Sequence, residues 1–173
     1  MSNPEPEGGF RDRLVRDGFR RHVHAALTAI GWFGPVGPVD RRLPNVTWVT
    51  DRYDDDEAIP PNTLVCAFED HDVDDIEIGS GASVNRMEVW LEFYAVEDAL
   101  GQDMAGDLIA ILRGQRPAVN CVDPSFPVVD VDGVTELFVV AIDGVRGIHD
   151  RNPKRISDRF YYGVVAYLED ERP

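Results

Sequence analysis

The chain has 173 residues, 43% hydrophobic and 28% charged, which is enough apolar material for one packed domain and argues against a wholly disordered chain. Its 32 acids and 17 bases leave a net charge of −15, which argues against nucleic-acid adhesion through clustered Lys and Arg. No apolar run approaches the roughly 20 residues that cross a bilayer, and Cys66 and Cys121 are too few for a disulfide framework or structural zinc site.

The acidic, Pro/Gly-rich residues 1–9 read as a flexible tail, the reverse of a secretory signal. With so few cysteines, the chain is expected to be soluble and made in a reducing cytoplasm. A helix is predicted over Phe10–Ile30. There Phe10, Leu14, Val15, Phe19, Val23, Ala26, Leu27 and Ile30 form one apolar stripe, the arginines fall mostly off it, and Gly31 is the stop. The Gly and Pro residues of 31–38 forbid regular structure. Asn45–Thr50 makes a short strand. Asn62–Phe68 follows, with Leu64, Cys66 and Phe68 on one side and Val65 and Ala67 on the other, a pattern of burial on both faces.

The clearest strand is Val84–Ala95. Met87, Val89, Leu91, Phe93 and Ala95 alternate with Arg86, Glu88, Trp90, Glu92 and Tyr94, giving a core side and a polar-aromatic side. A second helix is expected over Val96–Arg113, with Leu100, Met104, Leu108, Ile111 and Leu112 buried and Arg113-Gly114 closing it. Strands over Val134–Asp143 and Arg159–Glu169 complete the chain; in the last, Phe160, Tyr162, Val164, Ala166 and Leu168 oppose Tyr161, Gly163, Val165, Tyr167 and Glu169. Helix, strands, helix, strands is an α+β order. The expected architecture is a mostly antiparallel sheet with two helices packed on one face, plus long acidic and Pro-rich loops. Residues 10–170 then form a single domain with a loop excursion at about 51–83, and 171–173 are its C-terminal end.

Most chemical motifs fail on their own requirements. No Gly-Lys-Ser/Thr exists, and Lys154 is the sole lysine, so there is no P-loop. Asp70, Asp72 and Asp74 have the 1-3-5 spacing of a calcium loop, but Asp75 stands where Gly is needed and Gly81 where a bidentate Glu is needed. His22 and His24 lie about 200° apart around a helix and cannot grip one zinc ion. Cys66 alternates with Leu64 and Phe68 and reads as core. No catalytic, cofactor or metal residue is assigned, and the expectation is a protein that is not an enzyme. A small acidic metal-binding domain or enzyme is the alternative from another class.

Charge distribution says more than its total. Residues 51–77 hold eleven acids and one base, whereas residues 10–42 hold seven arginines against three acids. The lopsidedness suits solvated faces, or contacts between one copy's basic face and another's acidic one. Trp and Tyr on the non-core side of a strand concentrate at interfaces. The candidate interface residues are therefore Arg13, Arg16 and Arg20 on the first helix, Arg86, Glu88, Trp90, Glu92 and Tyr94 on the long strand, and Asp54, Asp55 and Asp56 in the acidic segment.

The Arg-rich first helix, the strand Arg86-Met-Glu-Val-Trp-Leu-Glu-Phe-Tyr-Ala95, the helix ending Asp107-Leu-Ile-Ala-Ile-Leu-Arg113 and the closing strand Arg159–Glu169 together form an ordered pattern over residues 10–170. That pattern resembles the tail terminator (tail completion) proteins of long-tailed bacteriophages. The acidic stretch at 51–83 and the Pro-rich stretch at 117–127 have no counterpart in it. The resemblance implies a virion protein of the tail or neck, assembled in the host cytoplasm as a ring, usually of six subunits. Such a ring caps the tail tube protein, stops its polymerisation and joins tail to head through a head–tail connector protein. DNA would pass its lumen without specific binding, and an acidic wall would suit that passage by repelling phosphate. Another head–tail connector or minor tail protein is the alternative within the class. Neither cofactor nor membrane enters the expected function.

Overall fold

A computed structural model describes residues 8–33, 46–50, 59–75, 83–114, 128–131, 135–146 and 160–172. Helix α1 spans Gly8–Ala29, and strands β1 (Thr47–Val49), β2 (Thr63–Asp75) and β3 (Ser83–Ala95) follow it. Helix α2 (Asp98–Leu112) then leads to β4 (Val128–Val131), β5 (Thr135–Arg146) and β6 (Phe160–Arg172). The six strands form one mixed sheet in the order β1-β2-β3-β6-β5-β4, in which only the β1–β2 pair is parallel. This is the α+β architecture expected from the element order.

Alternation in β3 decides which face is covered. Met87, Val89, Leu91, Phe93 and Ala95 are buried together with Leu64 and Cys66 of β2 and with Tyr162, Val164, Ala166 and Leu168 of β6. Onto this face α1 lays Val15, Phe19, Val23 and Leu27, a strict four-residue repeat, and α2 lays Met104, Leu108, Ile111 and Leu112. Both helices therefore cover the same side of the sheet. Each fully buried Leu or Phe in this layer contributes roughly 1.5–3 kcal/mol through removal from water.

The helix ends follow their local chemistry. Gly31 has φ of 99°, its N–H bonds to the Thr28 carbonyl at 3.0 Å, and the Trp32 N–H bonds to the Leu27 carbonyl at 3.1 Å. That is a Schellman cap, which needs a residue without Cβ strain at the left-handed position, and it drops Trp32 into the core beside Leu27. Trp32 Nε1 donates to Asp107 Oδ2 at 2.8 Å, tying the end of α1 to α2. Gly114, with φ of 67°, closes α2 in the same left-handed region. At its other end Gly101 meets Tyr162, where an added Cβ would overlap the phenol ring, and Asp98 accepts the Tyr162 hydroxyl.

Two strands depart from expectation. The acidic stretch after Phe68 was expected to be part of a loop excursion, but β2 continues to Asp75 and pairs with β3 along its whole length. A bulge at Glu69 shifts the register, so that Asp70, Asp72 and Asp74 stand opposite Glu88, Arg86 and Val84. Pairing with the long β3 supplies the hydrogen bonds that outweigh the poor strand propensity of Asp. Strand β4, next to the Pro-rich segment, was not expected. Its Asp130 pairs with Glu136 of β5. Helix α1 begins at Gly8 and β6 ends at Arg172, slightly beyond the domain limits expected at each terminus.

Candidate interface on the helix-free face

The second face of the sheet has no described helix on it. Register brings the alternate residues of β3 and β6 side by side there: Arg86 with Glu169, Glu88 with Tyr167, Trp90 with Val165, Glu92 with Gly163, and Tyr94 with Tyr161. From β5, Ala141 joins the Tyr167 row and Asp143 the Val165 row. The face divides into two halves of different character.

Toward the C-terminal end of β3 it is a small second core. Val65, Ala67 and Tyr94 are buried with Ile59, and Val49 and Tyr161 pack against them. This fits the expectation that β2 is covered on both faces. Tyr94 and Tyr161 meet at 5.4 Å between ring centroids, and the Tyr161 hydroxyl donates to Glu92 Oε1 at 2.8 Å. Gly163 makes that bond feasible. A Cβ there would lie 2.9 Å from the Tyr161 hydroxyl, so the ring crosses over the glycine to reach the carboxylate opposite it. Glu92, only 8% exposed, and Tyr94, 6% exposed, are thus internal residues rather than contact residues.

Toward the N-terminal end of β3 the same face opens to solvent. Trp90 and Tyr167 are half-buried, and Ala141 and Asp143 are exposed. Trp90 Nε1 donates to Glu88, and Arg86 Nε donates to Glu169 Oε1 at 3.0 Å. Desolvation, the charges of Glu88 and Asp143, and a hydrogen bond to Asp143 push the Tyr167 hydroxyl above its ordinary value of 10.0. Tyr167 therefore stays protonated between two carboxylates. Indole and phenol rings framed by Glu88, Asp143 and Glu169 make a surface suited to a cationic, planar group, which an aromatic face attracts and a carboxylate hydrogen-bonds.

The arginines of α1 separate in the same way. Arg13 is 76% exposed on its side chain and only loosely paired with Asp17, at 3.9 Å. Arg16 and Arg20 both lie over the Phe68 ring, each with its guanidinium carbon 5.3 Å from the centroid. Arg20 is 20% exposed on its side chain, lies 3.6 Å from Asp17, and donates to the Thr50 carbonyl at 2.8 Å. Expected on a free basic face, Arg20 is instead a clamp between α1 and the first two strands. Helix α1 and strand β2 meet here through Phe68. Asp54, Asp55 and Asp56 lie outside the described residues.

Cys66 is buried beneath this clamp. Burial pushes its thiol up to about 12 despite the nearby Arg20 charge and a hydrogen bond from it. A thiol so protonated is a core group and not a nucleophile. Among the described residues, no group of three or more His, Cys, Asp and Glu is arranged to hold a metal ion. The Asp70-x-Asp72-x-Asp74 run stands in a strand, where a calcium-binding loop cannot form. His24 stacks on Phe33 at 4.4 Å and meets the Trp48 edge at 5.4 Å, so its ring is used in packing.

Sequence reasoning found Glu88, Trp90 and Arg86 but missed Tyr167 and Asp143 as their neighbours. The alternation of the last strand carried a signal for Tyr167. For Asp143 the signal was hidden, because a register shift between Val139 and Ala141 breaks the alternation of β5. Among the described residues, no helix is long and apolar enough to cross a membrane. No protein-family model matches the chain, and no curated protein is significantly similar to it.

Proposed function

We propose that the protein is a structural component of a phage neck: a tail terminator that assembles as a ring on the end of the tail tube and joins tail to head. The observation that carries this reading is the division of the sheet. Two helices cover one face, while the other presents Trp90, Tyr167, Glu88 and Asp143 on paired strands β3, β6 and β5. A broad, rigid, aromatic-acidic surface is built to meet another surface. The element order α1, a long β3 running directly into α2, and a closing β6 is the order on which the resemblance to that family rests.

Net charge fits the proposed setting. A ring of chains each carrying −15 repels the phosphate backbone and lets DNA pass without being held. Electron microscopy of virions assembled without this protein tests the function. Tails of uncontrolled length beside unjoined heads are the expected result. Tailless, leaky heads would assign the chain to a head connector instead, and intact virions would remove it from the neck altogether.

A further inference from the structure

Copies of this chain have two surfaces of opposite charge on opposite sides of the molecule. One is the open half of the helix-free face, where Glu88, Trp90, Tyr167 and Asp143 lie in two adjacent rows of β3, β6 and β5. The other is the outer ridge of α1, on the far side of the sheet. Along it Arg13, Asp17, Arg21, Ala25 and Ala29 follow one another every four residues, so two exposed guanidinium groups flank the half-exposed Asp17 carboxylate and are followed by a smooth stretch. Arg16 and Arg20 sit over Phe68, whereas Arg13 and Arg21 are the exposed arginines among the described side chains of this helix.

We infer that the outer ridge of α1 in one copy docks on the Glu88–Trp90–Tyr167–Asp143 surface of the next, with Arg13 and Arg21 as its cationic anchors. The occupant is a second copy because the chemistry of the two surfaces matches. The acidic-aromatic patch calls for planar cations, and this chain carries its positive charge almost wholly as arginine, 16 of its 17 basic residues once Lys154 is set aside. Guanidinium stacks on indole and phenol and pairs with carboxylate in a fork, which an ammonium cannot do. The geometry also fixes the kind of assembly. A contact between opposite sides of one molecule cannot be satisfied mutually by two copies, so it is head-to-tail and grows past the dimer until it closes into a ring or extends as a filament.

This inference deepens the proposed function and rests on its premise that copies associate. Sedimentation velocity at low and physiological salt tests it with two double variants, Glu88→Arg/Asp143→Arg and Arg13→Glu/Arg21→Glu. Each alone should weaken association at least tenfold, and an equimolar mixture should recover it, because each variant then supplies the surface that complements the other. Wild-type assemblies should exceed two copies and loosen with added salt. Should a reversed variant melt early, the neutral pair Arg13→Gln/Arg21→Gln is to be compared, and it should weaken association in the same direction. Unchanged assembly in the variants, or a mixture that fails to recover, overturns this docking mode while leaving the ring itself standing. A wild-type chain that stays monomeric at low salt overturns the docking mode too, and the tail phenotype of virions lacking the protein then decides the neck function separately.

Discussion

The two faces of the sheet share the same strands and yet differ in almost every physical respect. On the helix-covered face every alternate residue of β3 from Met87 to Ala95 is buried among apolar neighbours from α1, α2, β2 and β6. On the helix-free face the same strand runs from exposed Arg86 through half-buried Glu88 and Trp90 to buried Glu92 and Tyr94, a gradient from water into a small second core. One face is specified by packing, the other by hydrogen bonds that tie aromatic residues to carboxylates. Stability should therefore be concentrated on the first face and contact chemistry on the open half of the second.

The sharpest way to break this contrast is to cut into the covered face. Phe19 is fully buried and edge-on to Phe68 at 5.7 Å. Phe19→Ala should cost about 3–5 kcal/mol, by lost burial and the cavity left behind, measured by urea unfolding. A cost under about 1 kcal/mol would mean that α1 is not seated on the sheet.

Overpacking the same face should come next. Gly101→Ala places a methyl group into the Tyr162 ring, and a loss of about 1–3 kcal/mol is expected, with the melting temperature as the readout. The companion Gly101→Ala/Tyr162→Leu, which removes the ring, should recover part of that loss. Independent, additive effects in the pair would deny the contact.

A gentler probe is alkaline pH. The Cys66 thiol is raised from 9.0 to about 12 in the folded chain, so above pH 9 the unfolded chain releases a proton that the folded chain keeps. This contribution is fully present below pH 9 and is lost as pH rises toward 12, so stability falls over that interval. Cys66→Ala should flatten the part of the pH profile that belongs to this thiol. Rapid alkylation of native Cys66 at pH 8.5 would contradict its burial.

Legibility in the sequence follows the same division. Alternation in β3 and β6 identified the covered face residue by residue, and Gly31 and Gly114 marked the helix ends because the left-handed positions they occupy favour glycine. What stayed hidden depended on pairing over distance. Strand β2 continues through Asp70–Asp75 only because β3 lies beside it, and no local preference of those residues announces a strand. Arg20 looks like any exposed helix arginine until Phe68 and the Thr50 carbonyl are brought to it. The meeting of Tyr167 and Asp143 with Glu88 needs both the β3–β6 and β5–β6 registers, including the shift after Val139, which single-strand periodicity cannot supply. Composition suggested a charge contact between the Arg-rich helix and the acidic segment. In the structure two of those arginines, Arg16 and Arg20, lie over the Phe68 ring of their own chain.

The smallest expected effect on stability belongs to Trp90, and it is also the most telling. Half-buried on the open half of the helix-free face, with its indole N–H on Glu88, it should contribute under about 1 kcal/mol to folding and much more to association. Melting temperature and assembly mass, measured side by side for wild type and Trp90→Ala, test this division of labour most directly. The expected result is a melting temperature within a few degrees of wild type together with loss of the higher-mass species. A large fall in melting temperature with the assembly unchanged would show that Trp90 serves the core and that the functional surface lies elsewhere.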